Sequence, residues 1–332
     1  MKRVGRMILA AAALLPVGSA SAVVVYVPGT PPTATRNTTA PTGALANSGW
    51  QLQGEWAGAF LGTPISSNQF ITAQHVGGNV GDTFSFNAAN YTTTGFVNVP
   101  NSDLRIWQVS GTFPTFAPLY NSGSDGSETG KPLVVFGRGV APGTAVIGPA
   151  TPSGTELKGW EWGAGDGARS WGENDVSGIV STTNVGDLIS FTFDRAVGNV
   201  AGTNESHLSA FDSGGGLFIE TPGGVWKLAG INFGVDGPFK FQQTDANAFN
   251  ATLFDKGGLW EQTGTVPGPN PGDPPIPVFT FNPDTSEDIA GASYSSRISS
   301  NLEFINGVIP EPSSVALLGG AIALITMRRR HG

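Results

Sequence analysis

The chain contains no cysteine in 332 residues. That one absence excludes a disulfide framework, a thiolate metal site and a thiol nucleophile. Charge is also scarce, since 17 Lys and Arg and 25 Asp and Glu together make only 13% of the sequence. Helical bundles and coiled coils draw on Lys, Glu and Leu, whereas Gly, Ser, Thr, Asn and Pro prevail here. There are three histidines, too few for a histidine-rich zinc site. No H-E-x-x-H string and no phosphate-binding G-x-x-x-x-G-K-[ST] loop occurs, so neither metal nor cofactor is expected. What the chain does have is 48 Gly, 24 Pro, 20 Phe and 8 Trp. Short strands joined by Gly/Pro turns around an aromatic core follow from that mixture, and the expected class is all-β.

The two ends read as addresses. In residues 1–22, Lys2, Arg3 and Arg6 precede an apolar stretch from Met7 to Val17, and Ala20-Ser21-Ala22 forms an A-x-A cleavage site. This is the pattern of a secretory signal peptide, and it predicts export. At the other end (309–332), Ile309-Pro310-Glu311-Pro312 precedes an apolar run from Val315 to Met327, which Arg328, Arg329 and Arg330 close. The run is short for a permanent span. Its order resembles the PEP-CTERM sorting tail of Gram-negative envelope proteins. The resemblance implies an exosortase-type membrane processing enzyme as partner, transient membrane association through the tail, and a destination in the envelope, at the cell surface or outside the cell. A plain membrane anchor is the alternative reading. Between the two ends, residues 23–308 hold 11 basic and 24 acidic side chains, a net charge of −13, which argues against nucleic acid as a partner.

Residues 23–46 read as an extended, Pro/Thr/Ala-rich segment. From residue 47 to residue 262, apolar runs such as QFITAQHV, LRIWQV, PLVVFG and LISFTF alternate with turn residues, as strands do. A domain of this kind suits one barrel or sandwich, or two fused barrels. Residues 264–277 carry six prolines in fourteen positions. They predict a semi-rigid linker within a linker-and-spacer region 263–308, of which 278–308 is a stalk or a late strand packed back on the domain.

Three strings carry chemistry-bearing side chains. His75 ends the apolar run Phe70-Ile71-Thr72-Ala73-Gln74, Asp103 heads Leu104-Arg105-Ile106-Trp107, and Ser213 precedes Gly214-Gly215-Gly216. A serine hydroxyl is a poor nucleophile until a histidine accepts its proton, and the histidine needs a carboxylate to fix its tautomer. Glycines beside the serine allow φ > 0 and a close backbone approach, with N–H groups available to an oxyanion.

Ile71-Thr72-Ala73-x-His75-Val76, Asp103-Leu104 and Asp212-Ser213-Gly214-Gly215, in that order, resemble the signature of the chymotrypsin-like (trypsin-fold) serine proteases. Gly230-Ile231-Asn232-Phe233-Gly234 is similar to the family's substrate-pairing strand. The resemblance spans residues 47–262 and implies two antiparallel six-stranded β-barrels and a protein or peptide substrate. It casts His75 as general base, Asp103 as its orienting carboxylate and Ser213 as the acylated nucleophile. The N–H groups of Phe211 and Ser213 would form the oxyanion hole. His207 would floor the substrate pocket, and Asn232, Phe233 and Gly234 would bind substrate. Two departures stand out. The family has Gly where this chain has Phe211, and no basic cleavage site followed by Ile-Val-Gly-Gly precedes His75. Members activated by cleavage pair a new N-terminus with the Asp before the nucleophile. Here either another cation neutralises Asp212 or the fold is competent without processing. The rival class is a non-catalytic surface protein, a degraded protease fold with an adhesive or matrix role.

Overall fold

Period-2 apolar patterns bounded by glycines become strands throughout the computed structural model, which describes residues 23–148, 156–195, 204–270 and 272–309. The expected signal peptide (1–22) and the tail from Pro310 onward lie outside the described residues. Two short strands come first, β1 (Val24–Val27) and β2 (Thr33–Thr35). Six more follow: β3 (Gly54–Trp56), β4 (Phe60–Pro64), β5 (Gln69–Ala73), β6 (Thr83–Phe86), β7 (Ala89–Asn98) and β8 (Leu104–Val109). They close into an antiparallel barrel in the order β3-β4-β5-β8-β7-β6. Inside it Trp56, Phe70, Phe84, Phe86, Trp107 and Phe113 form one cluster. Phe70 stacks on Phe84 with ring centres 3.9 Å apart. A Cβ on Gly54 would fall 2.2 Å from the Phe84 ring, so the missing side chain there is what admits the ring.

The second lobe begins with β9 (Pro132–Gly137), β10 (Pro142–Ile147), β11 (Leu157–Trp162), β12 (Ser170–Asp175), β13 (Gly178–Thr182) and β14 (Gly186–Thr192). It continues with β15 (Ser206–His207), β16 (Gly216–Glu220) and β17 (Trp226–Val235). After an excursion holding β18 (Phe239–Lys240), β19 (Ala251–Leu253), β20 (Trp260–Val266) and β21 (Ile276–Phe281), the chain returns as β22 (Ala292–Arg297). One sheet runs β12-β9-β16-β17-β22-β14-β13. It curls until β12 meets β14, where Asn174 Nδ2 donates to Thr192 O at 2.7 Å and to Ser206 O at 2.9 Å. Six of its strands thereby wrap into a second barrel whose seam is bridged by a side chain. The all-β class and its barrel architecture agree with the sequence expectation.

Over 263–308 paired strands stand where a linker was expected, and of the two readings of 278–308 the late strand packed back on the domain is the one seen. The described prolines sit in the turn between β20 and β21 and on β21, an edge strand of the sheet β18-β20-β21, where a residue without an N–H is tolerated. The Ser-rich stretch that followed is the interior strand β22, with Ser293, Ser295 and Ser296 buried. Small side chains are required there, because Gly230 of β17 lies so close that its Cβ would come within 2.8 Å of Ser295 Cβ. Arg297 then pairs with buried Glu128 through two 2.9 Å bonds. The helix Leu302–Val308 packs Ile305 into a core shared with Leu61 and Ile71 of the first barrel and Phe136 and Ile231 of the second. The folded domain thus continues past residue 262 to about Val308.

Candidate active site

His75 and Asp103 come from the first barrel. β5 ends at Ala73 and the chain tightens into a 3₁₀ turn, Gln74–Val76. Ala73 pairs with Leu104 across to β8, which brings Asp103, just ahead of β8, beside the turn. One Asp103 oxygen accepts from the His75 backbone N–H at 3.0 Å, and the other lies 2.5 Å from His75 Nδ1. A carboxylate only accepts, so Nδ1 donates to it, and in the neutral ring Nε2 is then the acceptor. Ser213 comes from the second barrel, and its Oγ lies 2.8 Å from His75 Nε2. The Asp103 side chain is 8% exposed and that of His75 35%. The orienting carboxylate is thus shielded while the imidazole reaches solvent. The ring is held edge-on by Phe233, with centres 5.9 Å apart.

The loop carrying Ser213 is fixed from both lobes. Gly214 adopts φ +81°, and a Cβ on it would fall 2.4 Å from Leu61 O of the first barrel. Gly215 has Phe136 O of the second barrel 2.0 Å from where its Cβ would be. The close approach allowed by these glycines is therefore toward the two barrels, and it wedges the loop between them. Gln53 accepts from Gly216 N at 3.0 Å and reaches Thr63 Oγ1 at 3.1 Å, a clamp that nothing in the sequence indicated.

Phe211 keeps the left-handed backbone that glycine favours, with φ +70°. The conformation costs a residue with a Cβ about 1–2 kcal/mol, and its half-exposed ring lies against Phe60, centres 5.9 Å apart. Among the described residues, the N–H groups of Phe211 and Ser213 have no intramolecular acceptor. Both donors are free for an incoming oxygen.

The expected substrate-binding residues divide. Asn232 is wholly buried, which corrects its assignment. Its Nδ2 donates to Phe136 O at 2.7 Å and Asp212 O at 3.1 Å, and its backbone bonds Gly214 N and Gly215 O. It holds the nucleophile loop and offers nothing to a ligand. Phe233 lies against His75, and Gly234 faces open space. Beyond Asn232, β17 pairs with β22 alone, which leaves one strand edge free. His207 lies on β15, paired with Val24 of β1. It is 1% exposed, and its Nδ1 donates to Leu208 O at 2.6 Å. Burial pushes its pKa down to about 4, so the ring is neutral at neutral pH. Nearby, the excursion supplies a network that the sequence did not signal. Lys256 pairs with Asp236 at 2.6 Å and Glu261 at 3.1 Å, and Tyr294 donates to Asp236 at 2.9 Å.

Among the described residues there is no group of three or more His, Asp or Glu able to hold a metal ion. Nor is any described helix long and apolar enough to cross a membrane. A concavity of about 590 Å³ is lined by residues between Thr265 and Pro275 at the β20–β21 turn. It involves none of the triad and has no bearing on the chemistry.

No protein-family model matches the chain, and no curated protein matches it. Among solved structures it is similar to Rv3671c of M. tuberculosis H37Rv, a mutant in its inactive form. The identity is 12%, the match covers 87% of this chain and 100% of that one, and the TM-score is 0.42. A second structure, described as the Rv3671c protease in its inactive form, has 16% identity. It covers 63% of this chain and 86% of that chain, with a TM-score of 0.38. At such scores the likeness bears on neither fold nor chemistry, and both stand on the strands and side chains themselves.

Proposed function

We propose that the chain is a serine endopeptidase that cleaves protein or peptide substrates through an acyl-enzyme. The observation that carries this is the unbroken line from Asp103 Oδ2 through His75 to Ser213 Oγ, at 2.5 and 2.8 Å. Asp103 holds the Nδ1 tautomer, so Nε2 accepts the Ser213 proton as Oγ attacks the carbonyl carbon. The negative oxygen of the tetrahedral intermediate sits within reach of the Phe211 and Ser213 N–H donors. His75 then delivers its proton to the leaving amine, and water repeats the sequence to release the acid. The open edge of β17 from Phe233 to Val235 supports an extended peptide as substrate. A neutral His207 supplies no fixed charge for a Lys or Arg side chain.

The enzyme is also read as exported, with a cell-envelope or extracellular destination. The proposed partners are an exosortase-type enzyme and, transiently, the membrane at the tail. The A-x-A site and the Pro310-Glu311-Pro312 order support this. The net charge of −13 over residues 23–308 favours partners other than nucleic acid.

Casein hydrolysis by the purified protein, compared with Ser213→Ala and Asp103→Asn, tests the catalytic reading. Ser213→Ala should lose about 10⁴–10⁶-fold in turnover and Asp103→Asn about 10⁴-fold. No hydrolysis above the level of Ser213→Ala would overturn the reading and favour the non-catalytic surface role.

A further inference from the structure

Among the described residues, five other than glycine hold a left-handed backbone. Four of them, Ala57, Asn87, Ala88 and Asn101, are small or amide-bearing and lie in turns. The fifth is Phe211, at φ +70°, in the loop of the proposed nucleophile. A glycine there would hold the same backbone and offer the same N–H without strain. The ring is this chain's own addition, and the backbone it sits on does not account for it. Nor does the core, since Phe211 is 37% exposed. Its contact is the ring of Phe60, with centres 5.9 Å apart and planes inclined by 51°. Phe60 opens β4 and is itself only partly buried. Two phenyl rings, one from each barrel, thus meet beside Ser213 and keep part of their apolar surface in solvent.

Both rings stand on fixed backbone. In the first barrel Phe60 pairs with Trp56 of β3, and Leu61, next in the chain, accepts from Thr72 Oγ1 at 2.8 Å. In the second, Asp212 accepts from Gly139 N and Ser209 N, each at 2.7 Å, and from Val23 N at 3.2 Å. Arg138 ties the two sides together, donating from Nη1 to Gly58 O at 3.0 Å and from Nε to Gly167 O at 2.8 Å. A preformed apolar surface of this kind takes up an apolar side chain at little ordering cost.

Its place in the cleft decides which part of a substrate it meets. The Phe211 N–H is one of the two donors open to the oxyanion, so its side chain stands within one residue of the reacting carbonyl. Gly214 donates to Asn232 O of β17 at 3.0 Å, and Leu61 O of β4 lies 2.4 Å from where its Cβ would be. The strands β17 and β4 therefore stand on different sides of the nucleophile loop. Residues before the scissile bond follow the free edge of β17 beside Phe233, and those after it leave past Phe211 and the start of β4. We propose that Phe60 and Phe211 form a subsite for a large apolar side chain, Leu, Met or aromatic, at the first or second residue after the scissile bond. This rests on the reading of Ser213 as nucleophile and adds the chemical class of the leaving half of the substrate. Because that half departs with the amine, the subsite acts on acylation and has no part in the attack of water on the acyl-enzyme.

The test uses internally quenched peptides built on a cleavage site mapped in casein and varied only at the first or the second residue after the cleaved bond. Values of kcat/KM are compared at Phe, Leu, Gly and Asp for the purified protein, Phe60→Ala, Phe60→Leu and Phe211→Gly. At one of the two positions the parent should favour Phe or Leu over Gly by about 10–10²-fold. Phe60→Ala and Phe211→Gly should each cut that ratio to about 3-fold or less, while Phe60→Leu keeps most of it. A ratio between two substrates of one protein is unmoved by a smaller folded fraction, so a merely structural role for the rings would leave it intact. Labelling of Ser213 by a fluorophosphonate, which brings no peptide on the leaving side, reports the nucleophile separately. Labelling together with a ratio near one at both positions, or a ratio unchanged in Phe60→Ala, would overturn the subsite and leave the catalytic reading standing. Absence of both labelling and hydrolysis in the parent would overturn the catalytic reading and the subsite with it.

Discussion

The first barrel closes backbone to backbone around stacked rings. The second is drawn shut by the amide of Asn174 around an aliphatic core that includes Leu133, Val135, Ile189 and Leu217, and it buries small residues such as Ser295 and Ser296 on β22. The difference follows the division of labour between them. The first barrel supplies His75 and Asp103 from one strand end and the start of its neighbour, a local arrangement that a rigid aromatic core is enough to hold. The second supplies Ser213 on a loop that must be met by β1 from the start of the domain, by Asn232 and by Gly139. Its parts arrive from across the sequence, and close backbone packing with small side chains is what brings them to one place.

The comparison can be broken most sharply in the first barrel. Phe84→Ala empties a site walled by Phe70, Phe86 and Phe113 and should cost about 3–5 kcal/mol, read from urea unfolding. The second barrel should instead respond to pH. His207 is held down to about 4 by burial, against an unfolded value near 6.5. Its contribution is therefore complete above about pH 6.5 and lost as pH falls toward 4, by about 3 kcal/mol in all. Asp212, pushed up to about 6, acts oppositely over part of that range. The His207 contribution is thus the parent stability minus that of His207→Asn at each pH, and a flat difference between pH 4 and 7 would contradict it. Asn174→Ala unties the seam and leaves Thr192 O and Ser206 O without their donor. It should cost about 2 kcal/mol and raise amide exchange along β12 and β14. Smallest is Ser295→Val, an overpacking change beside Gly230 worth about 1–2 kcal/mol.

The first barrel was legible in the sequence because its strands alternate aromatic and polar residues over short distances, and its turn glycines separate neighbours that pair. His75 and Asp103 could be read for the same reason: each stands at the end of an obvious apolar run. The second barrel was legible only as far as β17. β22 was ambiguous between a stalk and a late strand because its burial is achieved with serines, and the prolines ahead of it suggested a linker where those described lie in a turn and on an edge strand. A strand edge of β17 is free beside Phe233 and Gly234, whereas Asn232 turns inward to Phe136 and Asp212, 96 and 20 residues away, where no local pattern marks it. The Asp236–Lys256–Tyr294 network was silent for the same reason, since no local pattern marks charges that meet only after an excursion has folded back.

The most direct test of the catalytic reading is the intact mass of the chain beginning at Val23 after exposure to a fluorophosphonate. The account predicts a single adduct, localised to Ser213 by peptide mapping, absent in Ser213→Ala and slowed about 10³-fold or more in His75→Ala. No adduct, or one that forms as fast without His75, would contradict it.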